Sequence, residues 1–331
     1  MARHRPTLGL VRQFACVTIF SPDEVIGRDA LDLVFLLRDF GDNVPSMKQN
    51  NYTFGWHLVA FLDVLGQRER FRQLKVPTTP AEVLTVNEVL MQTAHFVNDL
   101  RDQFKEEFLD FDRRLSMKRP VVESLMPKFV GFSDSFVISI GLWDAKDDFT
   151  FFAKVYSTLS AASSLMLTSL GKAHALRGGI DVDLGCEIAD GEVYGTALEK
   201  AYLLECRAAE YPRILIGGGL WKYLADGLVE FESRKTPEAD KICNVIRKSK
   251  EFMAIDSDGR RILDYMGAFM KTISLPGAAE NLILPAYKFV VAESDAWIKK
   301  GNVKLAGRYA VLRRYFEERL HIWGLKPDDV V

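Results

Sequence analysis

The 331-residue chain has no CxxC pair, no HExxH spacing, no apolar run of membrane-spanning length and a net charge of only -2. Each absence removes a class of function. The four cysteines (Cys16, Cys186, Cys206 and Cys243) lie far apart, so a disulfide framework and a thiolate zinc site are both disfavoured, and a reducing cytoplasm is the expected setting. The five histidines show no metalloprotease spacing. The longest apolar runs, LDLVFLL and HLVAFLDVLG, are too short to cross a bilayer. The first residues lack the apolar stretch of a signal peptide. Near-neutral charge gives no field to draw in nucleic acid or an anionic membrane, and the basic start MARHR reads as a solvated tail. The expectation is a soluble cytoplasmic protein with neither a membrane nor a nucleic-acid partner.

What is present is a hydrophobic content of 48%, enough for a sizeable core without covalent staples. The apolar run His57–Leu65 reads as a strand buried on both faces, and Gly66 ends it. QRERFRQLKV reads as a short helix. A long helical pattern follows over Ala81–Leu115, with Val89, Leu90, Ala94, Phe96, Val97, Leu100 and Phe104 spaced by threes and fours. Lys128–Phe132 and Phe136–Leu142 form a hairpin around Ser133–Ser135. Then come a helix over Lys146–Leu170, a glycine-rich strand over Ala175–Leu184, a turn at Asp190–Gly191, a helix over Gly195–Glu210 and a strand over Tyr211–Ile216. The remainder reads as largely helical: Leu220–Glu232, Glu238–Met253, Tyr287–Lys300 and Val303–Ile322. This order predicts an α+β fold of ferredoxin-like kind, a mixed sheet with helices on one face. The expected organisation is an N-terminal extension over 1–51, a core domain over 52–216, and a helical C-terminal extension over 217–331 packed on the core.

Two aspartates carry the candidate chemistry. Asp63 interrupts an apolar strand, where a buried carboxylate is costly unless paired or bound to a cation. A strand-end acid reaching solvent or capping the next helix is the plain alternative. Asp134 lies at a hairpin tip, a common place for a turn aspartate. An acid at a strand end and another at an adjacent hairpin tip can face each other across a sheet, and such a pair suits two divalent cations. Gly66 permits close backbone approach after Asp63. Arg177 is either a surface arginine or a cation that grips phosphate oxygens beside the pair.

These segments resemble the class III nucleotidyl cyclases. Phe61-Leu62-Asp63-Val64-Leu65-Gly66 is similar to their F-x-D-I-x-G strand end, and Ser133-Asp134 to their G-D hairpin. Leu176-Arg177-Gly178-Gly179-Ile180 is similar to L-R-x-G-I, and Glu192–Glu199 to the D-x-x-G-x-x-V-N helix start. FLDVLG, FSDSFVIS, RGGI, the stretch Gly195–Glu205 and YPRI at Tyr211–Ile214 together most resemble the bacterial pyrimidine cyclases of Pycsar anti-phage systems, from about Tyr52 to Ile216.

The resemblance implies conversion of UTP to 3′,5′-cyclic UMP, or of CTP to cyclic CMP, by a homodimer whose product activates a separate effector. It implies two Mg²⁺ or Mn²⁺ ions held by Asp63, Asp134 and the backbone carbonyl of Val64. Arg177 and Gly66 would face phosphates, and Glu192 and Tyr52 the base. Two departures stand out: the usual Asn and Arg of the last helix align with Glu199 and Leu203, leaving Tyr202, Arg207 and Arg213 as substitutes. A cyclase-fold module that senses nucleotides without turnover is the alternative; a diguanylate-type enzyme lacks its GGDEF turn here.

Overall fold

A computed structural model describes residues 53–66, 71–72, 74–116, 126–132, 134–142, 148–188 and 192–330. The expected extension over 1–51, Tyr52, the turn at Asp190–Gly191 and most of the short helix after Gly66 lie outside these. Residues 50–331 form one compact unit.

The core is built from β1 (Thr53–Val64), α1 (Pro80–Ser116), β2 (Lys128–Phe132), β3 (Ser135–Gly141), α2 (Asp148–Gly171) and β4 (Leu176–Glu187). The strands run in the order β2-β3-β1-β4 with antiparallel neighbours. This is the ferredoxin-like βαββαβ arrangement that the element order predicts, and the fold is α+β. Next come β5 (Val193–Tyr194), α3 (Thr196–Leu203), a π-helical turn (Leu204–Ala208) and β6 (Ile214–Ile216), which lies parallel to β4.

The stretch after 216 contains α4 (Gly218–Arg234), α5 (Pro237–Glu251), β7 (Met253–Ile255), β8 (Arg261–Leu263), α6 (Ala268–Ile273), α7 (Leu284–Lys299) and α8 (Val303–Glu317). It is therefore not purely helical: β8 pairs with β6 and β7 extends the same sheet. Each added strand is only three residues long, too short to show a period-2 pattern. The turn Asp256–Gly259 joins these two strands.

Alternation along β1 explains the layers. Leu58, Ala60, Leu62 and Val64 enter the main core, which α1 enters through Val97, Leu100, Phe104, Phe108 and Phe111. Val59 and Phe61 point to the opposite face and pack with Val137 and with Ala197 and Ala201 of α3. Helices thus lie on both faces, not on one. The pattern could not separate them, because the only fully buried residues of α3 on this face are two alanines, with Leu198 and Tyr202 partly exposed beside them. The expected apolar stripe of α1 begins late as well, since Leu90 and Ala94 are exposed. At 37 residues the helix is about 55 Å long, against about 40 Å for a strand of twelve, so its first turns overhang the sheet. α2 is buried on nearly all sides because α5 and α7 cover the flank turned away from α1.

Candidate active site

The site is a row of side chains across three strands. Asp63 of β1 is in register with Ser135 of β3 on one side and Arg177 of β4 on the other. Directly opposed residues share a face, so all three lie on the α3 side of the sheet. Asp63 is 5% exposed, and both its carboxylate oxygens are engaged. Ser135 Oγ–H donates to Oδ1 at 2.7 Å. Arg177 Nε–H donates to Oδ2 at 3.2 Å, with Nη2 of the same arginine 3.1 Å away.

Asp134 is 7% exposed, and its main-chain carbonyl accepts the Val64 N–H at 3.0 Å. The hairpin tip is thereby tied to the end of β1, which brings the two sequence-predicted acids to neighbouring strand ends. Gly66 follows with a φ of +92°, a left-handed turn that favours glycine, and Leu65 N–H donates to the Ala175 carbonyl at 2.9 Å.

A third carboxylate completes the row. Glu205 sits in the π turn that continues α3, is 3% exposed, and places Oε1 2.6 Å from Arg177 Nε. The Arg177 N–H is directed at Asp63, so the Glu205 contact is an ion pair rather than an aligned hydrogen bond. One guanidinium lies between two buried carboxylates. Gly179 makes this possible: a Cβ there would lie 2.4 Å from the Ala201 carbonyl oxygen and 2.4 Å from Leu204 Cβ. Gly179 of the RGGI strand therefore lets the end of α3 close on β4.

Sequence reasoning gave no role to Ser135 or Glu205. The signal for Glu205 was present, because Ala197, Ala201 and Glu205 recur every four residues and so share the sheet-facing side of the helix. Ser135 could be found only from the strand register.

The remaining candidates fall elsewhere. Glu192 is exposed, and its carbonyl accepts the Ile188 N–H at 2.8 Å beyond the far end of β4. It is about 35 Å along that strand from Arg177, so one chain does not bring the two together. Glu199 is exposed and Leu203 half-buried. Of the substitutes for the missing Asn and Arg, Tyr202 is 47% exposed and packs edge-on against Phe61 with ring centroids 5.3 Å apart, and Arg207 is exposed. Arg213 is not available. It is 3% exposed, ion-paired with Asp256 and at 2.6 Å with Asp258, and donates to the Ala208 carbonyl at 3.0 Å. The short hairpin β7–β8 delivers those two acids, a contact no local pattern announces.

Asp181 is another buried acid of β4, and burial holds its carboxyl above the usual range. Its Oδ1 accepts the Val182 and Leu220 N–H groups at 2.9 and 2.7 Å, which anchors the start of α4. A cavity of about 460 Å³ between α1 and residues 273–282 contains none of the predicted site residues.

Among the described residues no group of three or more His, Cys, Asp and Glu is arranged to hold a metal ion. Asp63, Asp134 and the Val64 carbonyl are hard oxygen donors at adjoining strand ends. That set fits Mg²⁺ or Mn²⁺, which keep waters and substrate phosphates as their other ligands. No helix among the described residues is long and apolar enough to cross a membrane.

No protein-family model and no curated protein matches the sequence. Among solved structures, the adenylyl cyclase CyaB from P. aeruginosa is similar at 15% identity, covering 53% of this chain and 83% of that one, with a TM-score of 0.34. So loose a superposition speaks neither to fold identity nor to chemistry. The weight rests on the strand order and the side chains themselves.

Proposed function

We propose that the chain is a class III nucleotidyl cyclase acting on a pyrimidine nucleoside triphosphate, converting UTP to 3′,5′-cyclic UMP and pyrophosphate. The observation that carries this reading is the burial of Asp63 and Asp134 at adjoining strand ends, with Arg177 in register beside Asp63. The ribose 3′-hydroxyl oxygen bonds to the α-phosphorus, the bond from that phosphorus to the β-phosphate oxygen breaks, and the hydroxyl proton passes to solvent.

Asp63, Asp134 and the Val64 carbonyl would hold Mg²⁺ or Mn²⁺, which when bound supplies Lewis acidity toward the hydroxyl and the triphosphate. Ser135 fixes the orientation of the Asp63 carboxylate through its hydrogen bond. Arg177 binds phosphate oxygens, and Gly66 lets the chain approach them closely. Glu192 and Tyr52 read the base. Since Glu192 lies a strand's length from Arg177, two copies arranged head to tail would bring the base contacts of one to the phosphate contacts of the other. A homodimer is therefore part of the proposal. So are the domain limits 1–51, 52–216 and 217–331, and a cyclic nucleotide that signals to a separate anti-phage effector in the cytoplasm.

A second reading, a nucleotide-sensing module without turnover, is favoured by exposed Glu199 and half-buried Leu203 where cyclases carry Asn and Arg. Cyclic CMP from CTP is the alternative within the first reading. The test is substitution of the acids. Asp63→Ala and Asp134→Asn should each abolish cyclic product while thermal unfolding stays cooperative, because catalysis by positioning and charge stabilisation does not survive loss of a metal ligand. Cyclic product from both variants would overturn the assignment.

A further inference from the structure

Resting on that reading, we infer that Arg177 is a placeholder cation for Asp63 and that Glu205 is the residue that receives it when a divalent cation arrives. Three observations converge. Asp63 Oδ2 is occupied by Nε and Nη2 of Arg177, so a cation seeking that carboxylate competes with a guanidinium already there. Arg177 touches a second carboxylate, Glu205, at 2.6 Å, so it can leave Asp63 without becoming an unpaired buried charge. Glu205 is itself 3% exposed, on a π turn seated directly on Gly179, and a π turn within a helix often marks a functional position.

Charge counting gives the direction. Asp63, Arg177 and Glu205 together carry a net negative charge in a nearly dry setting, which favours entry of a cation. With a divalent ion at Asp63, charge repulsion would release the guanidinium from that carboxylate, and Glu205, already 2.6 Å away, would hold it. Glu205 acts through Arg177, and so is a positioning residue.

The two partners should therefore shift metal affinity in opposite directions, which simple structural damage would not do. In Mn²⁺ titrations of the full chain without nucleotide, followed by the paramagnetic signal of free Mn²⁺, Arg177→Gln removes the competitor and should tighten binding about tenfold, the size of one charge-assisted hydrogen bond. Glu205→Gln removes the acceptor and one negative charge, and should weaken binding about tenfold. The double variant Arg177→Gln/Glu205→Gln keeps the net charge of the trio. It leaves no excess of buried acid to hinder folding, and should bind Mn²⁺ more tightly than the wild type. Equal affinities in wild type, Glu205→Gln and the double variant, with Asp63→Ala still abolishing binding, would overturn the exchange and leave the metal site standing. A wild type that binds Mn²⁺ no better than Asp63→Ala would overturn both.

Discussion

Replacing Gly179 by alanine tests how the site is assembled. The added Cβ would meet the Ala201 carbonyl oxygen and Leu204 Cβ at 2.4 Å, and the Glu205 amide nitrogen at 3.2 Å. Two of these three are backbone atoms, so no rotamer change relieves the contact, and the end of α3 must move off β4 by about an ångström to restore ordinary separation. Overpacking of this kind costs about 1–3 kcal/mol. The opposing gain, a less flexible unfolded chain, is about 0.4–1 kcal/mol and does not cover it. The net loss, up to about 2.6 kcal/mol, corresponds in a domain of this size to a Tm lowered by up to about 5–10 °C. Gly307 supplies the control, because it is exposed within α8 and a Cβ there meets nothing within 4 Å. Gly307→Ala should stabilise by about 0.5–1 kcal/mol through helix propensity alone. Urea and thermal unfolding of both variants decide the matter. A Gly179→Ala protein as stable as Gly307→Ala would refute the close approach on which the Glu205–Arg177 contact depends.

Two further perturbations bear on the frame around the site. His57 is fully buried, its Nδ1–H donating to the Gly55 carbonyl at 3.1 Å, and burial pushes its pKa down from 6.5 to about 4. Between those values the unfolded chain binds a proton that the folded one refuses, so stability should be flat above about pH 6.5 and fall by about 3 kcal/mol toward pH 4; His57→Gln should flatten that slope in urea melts, and identical slopes would contradict the assignment. Arg213→Met leaves Asp256 and Asp258 without their buried partner and should destabilise by about 3–5 kcal/mol, read from denaturant midpoints; a loss below about 1 kcal/mol would show the cluster to be solvated.

The core of the fold was legible because its signals are local and long. The twelve-residue β1, the FVGFSDSFVISI hairpin and the two long helices each span enough residues for a period to appear, and their order alone gives the βαββαβ arrangement. The face occupied by α3 was not legible, since Ala197 and Ala201 carry too little apolar signal, nor was the β7–β8 hairpin, whose strands are shorter than one alternation cycle needs. In the site, Asp63, Asp134 and Arg177 could be found from sequence because each interrupts or flanks an apolar run. Ser135 and Glu205 owe their places to strand register and to a glycine across the sheet, which are long-range facts. Arg213 misled for the same reason, as its partners arrive about 45 residues later on a hairpin.

The central claim is turnover of a pyrimidine triphosphate at the Asp63–Asp134 pair. Its most direct test is incubation of the purified chain with ATP, GTP, CTP and UTP in turn, each with Mn²⁺, with products identified by mass. UTP should give 3′,5′-cyclic UMP with stoichiometric pyrophosphate. Absence of a cyclic product from all four triphosphates would contradict it, and cyclic AMP or cyclic GMP alone would contradict the pyrimidine assignment while leaving a cyclase.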